Sequence, residues 1–370
     1  MQIGFAGWRG MVGSVLMGRM KEEKDFNGFE PVFFTTSNIG GKGPDVGIEI
    51  PPLRDAFDIE LLSSMDIILT CQGGDYTKKV YPELRKNGWN GYWIDSASTL
   101  RMADDSIIVL DPVNRGVIDS GLSSGIKTFV GGNCTVSLML MALSGLFASG
   151  HIEWISSMTY QAASGSGARH MKELIEQMAV LGNASRSLLD DPSSTAIALD
   201  DLVTKELRSD SFPTENFLVP LAGSLIAWID SPMKSGQTRE EWKGSVETNK
   251  ILQTKNPIPI DGACVRVGAM RCHSQGLTIK LDRDLPIDEI SEMIEKGNNW
   301  VKLISNDKES TIQHLTPAAV NGTLSVPIGR VRKMLLGPEY LTAFTVGDQL
   351  LWGAAEPVRR ILKIIIEHSL

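Results

Sequence analysis

Cysteine and histidine are scarce in this chain, with four of the first and five of the second in 370 residues. The cysteines (Cys71, Cys134, Cys264 and Cys272) form no C-x-x-C pair. That excludes a disulfide framework and a cysteine-built zinc site, and no metal is expected. Basic residues are the minority, 36 against 44 acidic, for a net charge of -8. A nucleic-acid-binding surface is therefore not expected. The most apolar stretch, 136–148, is about 13 residues, short of the roughly 18 that a membrane span requires. The first residues lack the charged start and apolar core of a signal peptide. The expectation is a soluble protein of a reducing cytoplasm, with neither nucleic acid nor membrane as a partner.

What is present is ordinary globular material, 42% apolar and 22% charged, and the length suits two domains. Short apolar runs at 3–6, 32–35, 67–71, 93–95 and 107–110 read as strands, and 11–20 and 76–86 as helices. Strands alternating with helices imply a parallel sheet. The pattern changes near Gly131. An apolar helix over 135–147 precedes a strand over 154–162, a polar helix-rich stretch over 169–208, and longer strands at 265–269 and 277–282. The fold class expected is α/β. A Rossmann-like dinucleotide-binding domain spans 1–132, and an α+β domain with a mixed, largely antiparallel sheet spans 133–356. The run 349–367 is apolar at helical spacing, kinked or restarted at Pro357. Its last part, 357–370, is expected to pack back on the first domain.

Three segments carry chemistry. Gly7, Gly10 and Gly13 form G-x-x-G-x-x-G between a strand and a helix. Backbone N–H groups there can approach a diphosphate, with a helix N-terminus behind them. The second strand ends in Thr35, Thr36, Ser37 and Asn38, without the carboxylate that holds an NAD ribose. Short hydroxyls and Arg9 suit a 2′-phosphate, so NADP is the expected cofactor. Cys134 opens the 135–147 helix behind two glycines. A free thiol is only about 3% thiolate at pH 7, and a helix N-terminus lowers its pKa. Lowering to about 7 corresponds to roughly 2 kcal/mol of thiolate stabilisation. Free N–H groups beside Cys134 are expected to hold an oxyanion.

His273 is the candidate base for that thiol. Arg266, on an alternating strand, reads either as a structural ion pair or as a bidentate carboxylate clamp. Thr238 and Glu241 form a capping box, which puts Glu240 and Lys243 on one face. Read alone, that pair is a solvated salt bridge. Ser164 to Gly167 form a second glycine turn before a helix.

Together the segments GFAGWRGMVGSVL (4–16), FTTS (34–37), QGGDY (72–76), GGNCTVSLML (131–140), YQAASG (160–165), EWKG (241–244), VRVGAMRCHS (265–274) and FTVGDQLLWG (344–353) resemble the aspartate-β-semialdehyde dehydrogenases of Gram-negative bacteria. The resemblance covers nearly the whole chain. It implies a homodimeric NADP-dependent oxidoreductase acting on β-aspartyl phosphate, aspartate semialdehyde and inorganic phosphate. Its place would be lysine (through diaminopimelate), methionine and threonine biosynthesis. It implies Cys134 as the thioester-forming nucleophile, His273 as acid/base and Gln161 as the residue orienting the reacting group. It further implies substrate contacts from Arg101, Asn133, Gln161, Glu240, Lys243 and Arg266. Of these, Arg266 would hold the α-carboxylate, Glu240 the amino group, and Arg101 and Lys243 the phosphate. Cofactor contacts are implied at Gly7, Arg9, Gly10, Met11, Val12, Thr36, Ser37, Gln72, Ser164, Gly165, Pro192 and Gln349. Three alternatives stay open: an N-acetyl-glutamyl-phosphate reductase, a glyceraldehyde-type phosphorylating dehydrogenase, and a non-catalytic NADP-binding regulator.

Overall fold

A computed structural model describes residues 1–369. The first sheet holds β1 (Gln2–Ala6), β2 (Glu30–Thr35), β3 (Arg54–Asp55), β4 (Ile67–Thr70), β5 (Tyr92–Asp95), β6 (Ser106–Val109) and β7 (Thr128–Gly131). Its order is β3-β2-β1-β4-β5-β7-β6, and every pairing is parallel. These strands are short and buried nearly throughout (β4, β6 and β7 at every residue), as crossover helices on both faces require. Strand β7 is absent from the sequence reading because its polar Thr128 and terminal glycine mask a four-residue apolar pattern.

The second sheet holds β8 (Ile152–Gln161), β9 (Leu225–Ile226), β10 (Ile260–Val267), β11 (Cys272–Leu281), β12 (Val301–Leu303), β13 (Val326–Met334) and β14 (Gly337–Asp348). Its order is β12-β13-β14-β11-β8-β10-β9. The β8–β10 and β12–β13 pairs are parallel and the others antiparallel, the mixed, largely antiparallel sheet expected. The Cys134–Ala148 helix is apolar on all sides, and its residues share one core with Leu277, Ile279, Val326 and Ile328 of this sheet. A helix with no polar face must be buried all round.

The run near 349 begins as a π turn, Leu351–Ala355, and continues as the Glu356–Ser369 helix. Pro357 sits in that helix's first turn, where its missing N–H has no intrahelical partner to lose. Val358, Ile361, Leu362 and Ile365 lie in one core with Ile3, Phe5 and Leu16. Among the described residues no helix is long and apolar enough to cross a membrane, and none of the four cysteines is in a disulfide.

Candidate active site

The loops at the carboxyl ends of β1, β2, β4, β5 and β7 carry the glycine turn, Thr35–Asn38, Gln72, Arg101 and Cys134. That end of a parallel sheet is where ligands bind in open α/β folds. A cavity of about 630 Å³ opens there, lined among others by Met11, Arg101, Cys134, Gln161, Arg266 and Gln349.

Strand β7 runs through Gly132 into Asn133, which caps the Cys134–Ala148 helix. The Asn133 Oδ1 accepts from the Thr135 N–H at 3.0 Å and the Val136 N–H at 3.2 Å. This corrects the expectation of free amides: the cap occupies the Thr135 and Val136 donors, so they are not open to an oxyanion. Cys134 is half-buried, with Sγ 3.3 Å from His273 Nε2. Burial pushes the thiol up to about 12, Glu240 adds to the effect, and Arg266, Arg101 and Lys243 oppose it. The helix terminus therefore does not act alone on this thiol. Desolvation outweighs the roughly 2 kcal/mol assigned to the helix terminus.

His273 Nδ1 accepts the Ala162 N–H at 3.0 Å. A neutral imidazole has one N–H, so the proton sits on Nε2 and faces the sulfur. Burial, reinforced by the Arg266 charge, pushes the ring's pKa down to about 3 and keeps it neutral. His273 is thus built as a hydrogen-bond donor toward Cys134. The base role read from sequence alone is not supported by this tautomer, because a second ring proton would point at the Ala162 N–H.

Arg266 is 6% exposed, and its Nη1 donates to the Ala162 carbonyl at 2.7 Å. Among the described residues it makes no ion pair, and burial holds its pKa below the ordinary arginine value. The structural ion pair that sequence allowed for Arg266 is therefore not formed. Gly165 explains how the guanidinium reaches the cavity: a β-carbon at that position would lie 2.7 Å from Arg266 Nη1 and 3.2 Å from His273 Cε1. A larger residue there would push the guanidinium aside and crowd the imidazole.

Glu240 and Lys243 pair at 2.9 Å, but with side chains 7% and 12% exposed they are not the solvated bridge of the sequence-only reading. Burial opposes the Glu240 charge, yet Lys243, Asn133 and Gln161 hold its carboxyl below the usual range. The Asn133 Nδ2 and Gln161 Nε2 both donate to Glu240 Oε1, at 3.0 and 3.2 Å. For Lys243 burial opposes the charge too, and Glu240 and Asp230 raise its pKa despite it. Arg101 donates from Nε to the Gly131 carbonyl at 2.6 Å and from Nη1 to Glu247 Oε1 at 3.2 Å.

In the loops after β1 and β2, outside the cavity lining, Arg9 Nη2 donates to Thr35 Oγ1 at 2.9 Å and Ser37 Oγ at 2.7 Å, the cation-and-hydroxyl cluster expected. Gly7 has φ +75°, and a β-carbon there would lie 2.3 Å from the Gln72 nitrogen. The turn therefore needs glycine, and it brings the β1 and β4 loops together. Gly10 closes the turn through its N–H to the Gly7 carbonyl. Met11, Val12, Ser164, Gly165 and Gln349 line the cavity, and Gln349 Nε2 donates to Ser164 Oγ at 2.7 Å. The structure does not bring Thr36 and Pro192 to these side chains. Thr36 is exposed beside Ser37, and Pro192 is exposed in the turn after the Ala168–Asp190 helix. Among the described residues no three His, Cys, Asp or Glu side chains are grouped to hold a metal.

Sequence reasoning missed Glu247 and Asp230, the carboxylates behind Arg101 and Lys243. Glu247 had a usable signal, since it follows Glu240 and Lys243 at helical spacing on the Arg239–Leu252 helix. Asp230 had none, lying in irregular chain with φ +73°.

Comparison with known proteins identifies the family and the fold. Residues 2–121 match the semialdehyde dehydrogenase NAD-binding domain, and residues 143–352 the semialdehyde dehydrogenase dimerisation domain. The aspartate semialdehyde dehydrogenase of Francisella tularensis is 49% identical, with a TM-score of 0.93 over 99% of each chain. Aspartate semialdehyde dehydrogenase II of Vibrio cholerae, solved in complex with ASA, shares the fold at 23% identity and TM-score 0.79, covering 100% of this chain and 99% of that one. The Candida albicans enzyme, solved with NADP, shares it at 15% identity and TM-score 0.67, covering 99% and 98%.

Proposed function

This chain belongs to the aspartate semialdehyde dehydrogenase family, and we propose from that premise that it reduces β-aspartyl phosphate to aspartate semialdehyde with NADPH through a Cys134 thioester. The observation that carries this reading is the Cys134–His273 contact beside a buried, unpaired guanidinium. It joins a nucleophile and a carboxylate receptor within one cavity.

Arg266 takes the substrate α-carboxylate and Glu240 its ammonium, which sets the acyl carbon over Cys134. The Cys134 thiol attacks that carbon, the C–O bond to phosphate breaks, and the thiol proton leaves on the departing inorganic phosphate beside Arg101 and Lys243. Gln161, held by Thr159 and Glu240, orients the acyl group. The Gly7–Gly10 turn, Arg9, Ser37 and the Ser164–Gln349 pair would hold the nicotinamide cofactor, which would supply the hydride for reduction of the thioester. The His273 Nε2–H donates to the oxygen of the tetrahedral species. When the C–S bond breaks, it donates a hydrogen bond to the departing sulfur, which regains its proton from water. A neutral imidazole serves both steps as a donor and need not lose its proton.

The first 132 residues then form the cofactor domain and 133–356 the catalytic and dimerisation domain. A homodimer would cover apolar side chains such as Met158, Tyr160, Ile175, Met178, Ile197 and Leu225, all exposed in the single chain. The product serves lysine, methionine and threonine synthesis in the cytoplasm.

The test runs the reaction in reverse, following NADPH formed from aspartate semialdehyde, NADP and inorganic phosphate. Activity that requires phosphate is expected. An enzyme that binds NADP but turns over only an N-acetylated semialdehyde would move the assignment to an acyl-glutamyl reductase. For the cofactor, Arg9→Ala is expected to raise KM for NADP roughly 10- to 100-fold, the worth of one or two charge-assisted hydrogen bonds. KM for NAD should move less than about threefold. Equal losses for both dinucleotides would remove Arg9 from 2′-phosphate recognition.

A further inference from the structure

Glu247 is a buried carboxylate, 2% exposed, that does not line the cavity and has no role in the reaction as described so far. Both of its oxygens are engaged. Oε1 accepts from Arg101 Nη1 at 3.2 Å, and Oε2 accepts from the backbone N–H of Asn133 at 2.7 Å. Each partner continues into the site. Arg101 is pinned a second time by the Gly131 carbonyl and presents the rest of its guanidinium to the cavity. Asn133 caps the helix that Cys134 opens and touches Glu240. One carboxylate therefore spans two components that meet at opposite sides of the acyl–phosphate bond.

We propose that Glu247 is the positioning residue that fixes the phosphate-binding Arg101 and the Asn133–Cys134 turn as one unit. It sets where phosphate stands relative to the sulfur and balances part of the Arg101 charge. This inference rests on the acyl-phosphate reading above. Its geometry is demanding because both partners of Glu247 are donors. A carboxylate satisfies both, whereas a carboxamide accepts from one and turns its own N–H₂ toward the other. Charge balance acts in the same direction. Without Glu247 the buried Arg101 would keep its charge but lose its second anchor. Phosphate would then bind a cation of less defined direction, while Arg266 would keep its bond to the Ala162 carbonyl and Glu240 its bonds from Lys243 and Gln161 at the amino-acid end of the substrate.

The experiment compares Glu247→Gln with the unaltered enzyme in the phosphate-dependent formation of NADPH, varying phosphate and aspartate semialdehyde separately. KM for phosphate is expected to rise at least tenfold, with KM for the semialdehyde within about twofold and the apparent Kd for NADP unchanged. Glu247→Asp keeps the charge but falls one methylene short, and is expected to lie between the two. If Glu247→Gln does not fold, Glu247→Asp carries the test with a threefold or greater rise in phosphate KM alone. A folded variant whose two KM values move together, or in which only kcat falls, would show Glu247 to be general scaffolding and overturn the inference. Absence of phosphate-dependent activity in the unaltered enzyme would instead overturn the acyl-phosphate reading on which it rests.

Discussion

Cys134→Ala is expected to lower phosphate-dependent turnover roughly 10⁴-fold or more, because no other group can form the thioester that divides the reaction into two steps. The loss should be chemical and not structural. The helix behind Cys134 is capped by the Asn133 side chain, and a cap of that kind is worth about 1 kcal/mol. The mutation leaves the cap in place and removes one sulfur at the edge of a cavity. Unfolding temperature and NADP affinity should therefore match the unaltered enzyme, while turnover vanishes in the same preparation. Residual turnover within about tenfold of normal would mean that the acyl group never resides on this sulfur. The other cysteines offer no substitute. Cys264 and Cys272 are buried, and neither they nor Cys71 line the cavity that holds Cys134, Arg101 and Arg266.

Arg266→Met is expected to separate activity from stability. The buried guanidinium hydrogen-bonds the Ala162 carbonyl and has no carboxylate partner among the described residues. Taking an ion out of water costs several kcal/mol, and one hydrogen bond returns only about 1–2 kcal/mol. Methionine of similar length removes that burden, so the unfolding temperature should stay level or rise. The substrate carboxylate, however, loses its bidentate partner. An interaction of that kind is worth roughly 2–5 kcal/mol, so kcat/KM for the semialdehyde should fall about 30- to 5,000-fold. Arg266→Lys retains charge without the fork and should recover little. A variant that loses stability and activity together would make Arg266 a structural residue, and the carboxylate receptor would have to be sought elsewhere in the cavity.

Much of the site was legible because its signals are local. The Gly7–Gly13 turn, the missing carboxylate after β2 and the cysteine at a helix start are read within a few consecutive residues, and the structure brings them to one end of a parallel sheet. Pairing Cys134 with His273 across 139 residues came from the scarcity of histidine and from residue chemistry, and the family resemblance gave the pair its role. The protonation chemistry was not legible. The tautomer of His273 depends on the Ala162 amide, and the Cys134 thiol depends on how deeply three elements bury it. A helix-terminus argument sees only the helix and therefore anticipated a thiolate. The Glu240–Lys243 pair shows the same limit. Its spacing is local, but whether it faces water is decided by β8 and the Asn133 loop.

The Glu356–Ser369 helix has a consequence for how the molecule is made. Val358, Ile361, Leu362 and Ile365 fill the same core as Ile3, Phe5 and Leu16, and Arg359 Nε donates to Asp25 at 2.6 Å. On the ribosome, the half that emerges first cannot close its interior until residues beyond Glu356 have been synthesised. Domains usually fold in order of appearance. Here the early half must wait, exposing apolar strands while the whole second sheet is translated. The two halves therefore mature together, and a truncation after Ala355 is a defect in the half that binds cofactor.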